Sequence, residues 1–406
     1  MPSRALASSL PHAPRGVRPF AIIGGVEAVV RGSSLAVYPL LMYRYWGDAV
    51  TVSKIYFAVG LLSLLTVLAV PMLTRLLPRR WVYTGGVLMY VLSAALGMVG
   101  GAATTVALLC NAMAAATAFV CFNAYVLDNV AKADFSKLES LRLFYGGLGW
   151  TIGPVLGVWL LPYWHGAPFV LVGLGALGML TAFWRLRLGN GRVIVQAVPS
   201  SVAPMAYLKR FFAQPRLVAG WFFAVMRSCG WWIYIVYTGI FAVQNGLGEQ
   251  VGGLATSLAN AGLFMAPLML RWVKRRTVRE AVRTGFLFSG LCFILGTVFS
   301  SLPWATVAVL MLGAYFLVLL DICGGLPFLM SVKPSQRTEM SAVYSSFRDV
   351  SGIVSPGLVW LVLQFVPVSG VFAAGGVALL AAWLVASRLH PELGVPGNQR
   401  QRPPPD

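Results

Sequence analysis

The sequence predicts an all-α polytopic membrane protein, with twelve transmembrane helices in two pseudo-symmetric six-helix bundles, and three observations carry that reading. The first is composition. Of 406 residues, 58% are hydrophobic and 11% are charged, against about 25% charged in soluble domains, and apolar runs of about 20 residues recur from end to end. The second is the placement of charge. The formal net charge is +19, yet the Lys and Arg concentrate in the termini and in alternate loops, leaving Arg44 and Lys54 in the opposite loops and Arg31, Arg227 and Arg348 inside spans. That alternation is the positive-inside pattern, which predicts cytoplasmic termini and a multi-pass inner-membrane location. It accounts for the charge without nucleic acid. The third is repetition. VEAVVRGSSLAVY (26–38) and FFAVMRSCGWWIY (222–234) share Ala-Val, Arg and Tyr at an offset of 196 (227 − 31). PMLTRLLPRR (71–80) and PLMLRWVKRR (267–276) keep the same offset (267 − 71). Two features in register in each half indicate homologous halves.

The elements follow in order. A basic, Pro-containing tail over 1–18 precedes a long apolar run with no evident cleavage site, so that run reads as a retained first helix and not a signal peptide. The first bundle, 19–186, holds spans near 19–43, 55–77, 82–101, 104–127, 143–163 and 167–186. Gly47, Pro78, Gly100-Gly101 and the 162–168 turn punctuate them. A Gly, Pro, Ser and Arg-bearing cytoplasmic linker covers 187–215. The second bundle, 216–388, holds spans near 217–243, 250–273, 280–300, 303–330, 341–365 and 368–388. The tail at 389–406, ending QRQRPPPD, is Pro-rich and basic and reads as disordered.

Charges inside the spans are the functional candidates, because a charged side chain near the bilayer centre costs roughly 2.5–3.5 kcal/mol unless it faces a protein interior or water. Glu27 precedes Arg31 by one helical turn, and Ser34 and Tyr38 continue that stripe. Arg227 is the repeat partner of Arg31. Two guanidiniums from equivalent positions would face one cavity and clamp a carboxylate or phosphate in bidentate fashion; the competing reading pairs Glu27 with Arg31 and Asp321 with Arg227 as a structural network. Glu27 and Asp321 are also the candidate proton carriers. Asn123, Tyr38 and Tyr234 complete the candidate substrate-binding set. Trp231 and Trp232 are adjacent and cannot both face inward. Asp128 at the end of the fourth span is a candidate latch for Arg79 or Arg80, with Glu139 and Glu339 placed to contact the basic loops. Arg348-Asp349 suggests a conformational role.

The five cysteines lie in apolar runs without metal-ligand spacing, and His12, His165 and His390 fall outside the spans. There is no Walker loop, HExxH or G-x-S-x-G motif. An ATP-driven pump or membrane hydrolase is therefore unsupported, and no catalytic residue, metal or cofactor is expected.

The 71–80 and 267–276 segments resemble the loop between helices two and three of the major facilitator superfamily, G-x-x-x-D-R-x-G-R-R. Pro71, Arg75, Leu76 and Pro78 replace the first Gly, the Asp, the Arg and the second Gly, while Arg79 and Arg80 fit. GWTIGPVLG (149–157) is similar to the fifth-helix G-x-x-x-G-P-x-x-G-G motif of drug/proton antiporters in that superfamily, with Val158 for the last Gly; VSPG (354–357) looks like its weaker counterpart. The resemblance implies a proton-coupled secondary transporter, expected to act as a monomer, moving a small-molecule substrate across the lipid bilayer. Helices one, four, seven and ten would surround a central cavity, and two rocking halves would expose it alternately. It implies gating roles for Arg75, Arg79, Arg80, Arg271, Arg275 and Arg276, and for Gly149, Gly153, Pro154 and Gly157, though ordinary small-residue packing explains the glycines equally well. Organophosphate antiporters of the superfamily also use one Arg on helix one and one on helix seven. Export of amphipathic compounds and a transport-inactive scaffold or receptor remain the alternatives.

Overall fold

The computed structural model describes residues 17–130, 134–185, 204–332 and 337–389, and all of their regular structure is helical. In chain order the first part comprises α1 (Arg18–Leu35), α2 (Val37–Trp46), α3 (Ala49–Leu76), α4 (Arg79–Val99), α5 (Ala103–Asn129), α6 (Phe135–Leu160) and α7 (Ala167–Arg185). A short helix, α8 (Pro204–Phe212), lies within the expected linker. Then follow α9 (Pro215–Gln244), α10 (Gln250–Ala261), α11 (Ala266–Lys274), α12 (Val278–Val298), α13 (Pro303–Cys323), α14 (Leu326–Ser331), α15 (Arg337–Ser345), α16 (Phe347–Val362) and α17 (Val368–Ala386). Among the described residues, ten helical segments are long and apolar enough to cross a membrane. The helix α9 and the α15–α16 pair take the remaining two places of a twelve-helix arrangement.

Several spans are interrupted where proline removes a backbone donor. Pro39 cannot donate to Leu35, and the first span breaks between α1 and α2 at Ala36. Pro267 cannot donate to Leu263, and a 3-10 turn over Gly262–Met265 separates α10 from α11. Glycine closes the ends: Gly47, Gly100 and Gly101 all have positive φ, the left-handed geometry that costs glycine nothing.

The packing repeats itself. In the first bundle α1 packs on α6 and α7, α4 on α5 and α7, and α3 on α5. In the second, α9 packs on α16 and α17, α12 on α13 and α17, and α10 and α11 on α13. Substituting each span by its counterpart turns one set into the other. The seams between bundles obey the same symmetry, because α6 lies on α10 and α3 on α16. Gly60 and Gly352 let the second seam close: a Cβ on Gly60 would lie 2.5 Å from the Gly352 carbonyl oxygen. Large apolar side chains such as Leu65, Leu68, Met72, Leu268 and Leu384 are exposed on the outside, as a surface solvated by lipid requires.

Three boundary expectations change. The helix α3 begins at Ala49, six residues before the expected span, because Asp48 caps it and accepts from Val50 N at 3.0 Å and from Thr51 N and Thr51 Oγ1 at 2.9 Å each. Lys54 is thus a helical residue and not a loop residue. The 71–80 segment is mostly helix, with only Leu77 and Pro78 between α3 and α4, so Arg75 sits in the last turn of α3. Finally, α6 starts at Phe135 rather than near 143, which brings Arg142 two turns inside a helix.

Burial alone would raise the Asp48 carboxyl, but its hydrogen bonds to Val50 and Thr51, with Lys54 nearby, outweigh that and hold it below the usual carboxylate range. Its stabilisation is therefore complete above the ordinary carboxylate pKa and is lost as pH falls through the lowered folded value. Asp48→Ala is expected to cost about 1 kcal/mol. In detergent the melting temperatures of the two proteins should converge as pH falls through that range; a constant gap at low pH would show that the cap is not what the substitution removes.

Candidate functional site

The polar residues of α1, α5, α6, α9, α13 and α16 converge between the bundles. On α1, Glu27 is buried at 9% exposure, and its charged neighbours are Arg31 and Arg142. The Glu27 Oε1 atom is buried with no hydrogen-bond partner among the described residues. Arg31 does not form a contact ion pair with Glu27; its guanidinium lies over the Trp150 ring of α6, 5.3 Å from the centroid. Arg142 reaches Asn123 of α5, with Nη1 donating to Oδ1 at 3.5 Å, and passes over Phe122 at 5.7 Å. Its side chain also runs past Gly24, 3.8 Å from where a Cβ would lie.

The second bundle answers with a tighter group. Arg227 Nε lies 3.0 Å from Asp321 Oδ1, and its Nη1 donates to the Leu320 carbonyl at 3.3 Å. Trp231 Nε1 donates to the other carboxylate oxygen of Asp321 at 3.0 Å. Arg227 also lies over Phe347 of α16 at 5.4 Å. Each repeat arginine therefore rests on an aromatic ring from the fifth span of its own bundle. Cation–π contacts of this kind contribute about 0.5–2 kcal/mol and leave the edge of the guanidinium free to bind.

Arg348 joins the two groups. Its guanidinium lies 5.1 Å from the Phe119 ring centroid in the opposite bundle and has Arg31, Arg142 and Arg227 as charged neighbours, with Asp349 beside it. Among the described residues, four arginines thus gather near Glu27 and Asp321, with Asp349 beside Arg348. Arg348 and Asp321 are solvent-exposed. The opposite end is shut by Ser53–Tyr237 (2.7 Å), Gln244–Tyr43 (2.9 Å), Val155–Ser257 (2.9 Å) and the ion pair of Arg44 with Glu249. The arginine cluster accordingly opens toward the end that carries residues 75–80 and 271–276.

The other candidates occupy different places. Tyr38 is fully buried with its hydroxyl 2.6 Å from Ser93, and Tyr234 donates to the Ala255 carbonyl at 2.8 Å; both hydroxyls are engaged inside their bundles. Gly149, Gly153 and Gly157 lie on α1: a Cβ on Gly153 would be 2.7 Å from the Gly32 and Ser33 backbone. Pro154 instead faces the seam with α10, beside Gly253. Arg79 lies over Tyr125 at 5.4 Å, Arg80 Nε is buried without a hydrogen-bond partner among the described residues, and Arg75, Arg271, Arg275 and Arg276 are exposed. The side chains of Asp128, Glu139 and Glu339 lie outside the described residues, as do the tails and residues 186–203 of the linker.

Sequence reasoning misses Arg142 and the part that Trp231 plays. A helix extended back to Phe135 would have revealed the first, one helical face from Gly149 and Trp150. The second needed its partner Asp321, 90 residues away.

The family model of the Major Facilitator Superfamily matches residues 20–356. A relative from Escherichia coli (strain K12), the uncharacterized MFS-type transporter YdeE, is 23% identical over 272 residues; the match spans 64% of this chain and 66% of the relative, just under two thirds of its length. Among solved structures, a POT family transporter in complex with 5-aminolevulinic acid superposes with a TM-score of 0.73 at 13% identity, covering 93% of this chain and 96% of that one. The nucleoside transporter NupG gives 0.67 at 13% identity, covering 92% and 99%. At these identities the structural likeness speaks for the fold alone.

Proposed function

From the premise that this chain belongs to the Major Facilitator Superfamily, we propose that it is a proton-coupled secondary transporter for a small organic anion. The observation that carries the substrate class is the convergence of Arg31, Arg142 and Arg227, from both bundles, on the exposed Arg348. Intramembrane charges normally occur in pairs. Among the described residues the guanidiniums of this cluster outnumber its carboxylates, and Arg31 lacks a contact carboxylate. An anion with two acceptor oxygens would bridge Arg31 and Arg227 across the bundles. Binding would draw the bundles together at the open end, and the Pro154 seam and the paired glycines 60 and 352 are the places where they would pivot. With the positive-inside orientation, the open end is cytoplasmic.

A thermal-shift screen of the purified protein against carboxylates, organophosphates and hydrophobic cations tests the class. A ligand that binds the native state raises its apparent stability by mass action. Stabilisation by anions is expected. Stabilisation only by hydrophobic cations would replace this reading with export of amphipathic compounds.

Proton coupling rests on Glu27, a buried carboxylate between Arg31 and Arg142 with one oxygen unpartnered among the described residues. A proton on Glu27 would remove its negative charge from beside Arg31 and favour an anionic substrate there, and loss of that proton would restore a carboxylate that competes with substrate for Arg31. In proteoliposomes Glu27→Gln is expected to abolish accumulation driven by a pH gradient while leaving exchange of internal for external substrate intact. Gradient-driven accumulation that survives the substitution would remove Glu27 as the coupling group.

A further inference from the structure

A second site lies away from the central cluster, at the basic end of α11, α12 and α17. Trp272, Arg276, Glu280, Arg283 and Trp383 line a cavity of about 210 Å³. It adjoins a second cavity of about 300 Å³, with Trp272 and Thr284 in the walls of both, and the rest of that wall is apolar: Leu268, Met269, Phe316 and Leu319. One groove therefore runs from two guanidiniums, past two indoles, onto a lipid-facing hydrophobic surface. Arg283 lies over Trp383 at 5.4 Å, and its Nε is buried with no hydrogen-bond partner among the described residues. Arg276 lies over Trp272 at 6.0 Å and meets Glu280 only at 3.9 Å, with both side chains more than half exposed.

The first bundle supplies an internal comparison. The helices α4 and α12 are both 21 residues long and start 199 residues apart (278 − 79), and Trp184 and Trp383 keep that offset (383 − 184). In the first bundle Trp184 donates to Thr84 Oγ1 at 3.2 Å and packs its ring 5.5 Å from that of Trp81. The second bundle has Arg283 in place of Thr84 and Glu280 in place of Trp81. A corner that two tryptophans and a hydrogen bond close in one bundle is charged and hollow in the other. Cations beside a tryptophan pair, at the level where a span meets water, match a phosphate headgroup, and the apolar continuation matches an acyl chain.

We propose that this groove binds an anionic phospholipid, with its headgroup phosphate on Arg276 and Arg283 and one acyl chain along Leu268, Met269, Phe316 and Leu319. Lipid at this place would tie α11 to α12 and α17.

The test uses the full chain purified in a neutral detergent, titrated with phosphatidylglycerol or phosphatidylcholine, with bound lipid read by native mass spectrometry and stability by melting temperature. Phosphatidylglycerol is expected to be retained and to raise the melting temperature, phosphatidylcholine much less. Each lost guanidinium should weaken retention about fivefold, so Arg276→Gln with Arg283→Gln should weaken it about 25-fold. Glu280→Gln removes a competing carboxylate and should strengthen retention, a change in the opposite direction that misfolding would not produce. Equal retention of the two lipids, or unchanged phosphatidylglycerol retention in the double variant, would overturn the proposal. Glycerophosphoglycerol carries the same phosphodiester headgroup without chains; stabilisation by it equal to that by phosphatidylglycerol would make the corner a soluble-phosphate site and not a lipid site.

Discussion

Arg31→Ala combined with Arg227→Ala is expected to reduce anion flux into proteoliposomes by on the order of 100-fold or more, with the protein still folded. The reasoning starts from the two environments. Arg227 is held by Asp321 at 3.0 Å and by the Leu320 carbonyl at 3.3 Å, whereas Arg31 rests on Trp150 without a contact carboxylate among the described residues. Losing a charge-assisted contact to a desolvated ligand costs about 2–5 kcal/mol, and 1.4 kcal/mol is tenfold. The single variants should differ in kind. Arg31→Ala removes a cation that has no contact ion pair to maintain, so transport should fall with little loss of stability. Arg227→Ala also strands the Asp321 carboxylate, and breaking a buried pair costs about 3–5 kcal/mol, reduced here because the Asp321 side chain is 31% exposed. Its melting temperature should fall as well. Arg31→Lys keeps the charge and loses the planar fork; a lysine variant with native affinity would rule out bidentate recognition. Undiminished flux in the double variant would remove the anion clamp altogether.

Gly153→Leu should strongly destabilise the first bundle. The helices α1 and α6 meet backbone to backbone, and even a Cβ at residue 153 would lie 2.7 Å from the Gly32 carbonyl carbon and Ser33 nitrogen. Main chain on both sides cannot step aside as a flexible side chain would, so overpacking should exceed the usual cost of about 1–3 kcal/mol. The same displacement would carry Arg31 away from Trp150, since both residues belong to the helices being separated. Gly178→Leu on α7 is the control, because nothing lies within 4 Å of a Cβ there among the described residues. Size-exclusion profiles of fluorescently tagged protein should show aggregation or loss for the first and a native peak for the second. A native peak and unchanged melting temperature for Gly153→Leu would mean that the α1–α6 contact is looser than described.

Much of the site was legible because charge inside an apolar run has few tolerable explanations. Glu27, Arg31, Arg227 and Asp321 stand out on that ground, and the 196-residue offset (227 − 31) marks the two arginines as equivalent. Arg142 escaped for a physical reason. Its helix begins with the polar run FSKLES, which reads as loop by hydropathy, yet helical hydrogen bonding continues through it without needing an apolar face. Tyr38 lies on the sequence stripe that includes Arg31, but the fold uses it inside the first bundle, where its hydroxyl meets Ser93. The glycine run resembled a gate, and the fold uses its glycines to bring α1 against α6, with Pro154 and Val155 at the seam between bundles.

The sequence by itself determined the membrane class, the all-α polytopic fold, the internal repeat and the intramembrane charges, because each follows from local quantities: apolar run length against bilayer thickness, the cost of burying charge, and residue identity at a fixed offset. Only the tertiary structure decided which charges meet. Asp321 pairs with Arg227 while Glu27 stays out of contact with Arg31, and Arg348 crosses to Phe119 beside both groups. Those facts depend on helix rotation and on distances between spans far apart in the chain. Helix packing sets both, through small residues and proline breaks on faces that hydropathy cannot tell apart.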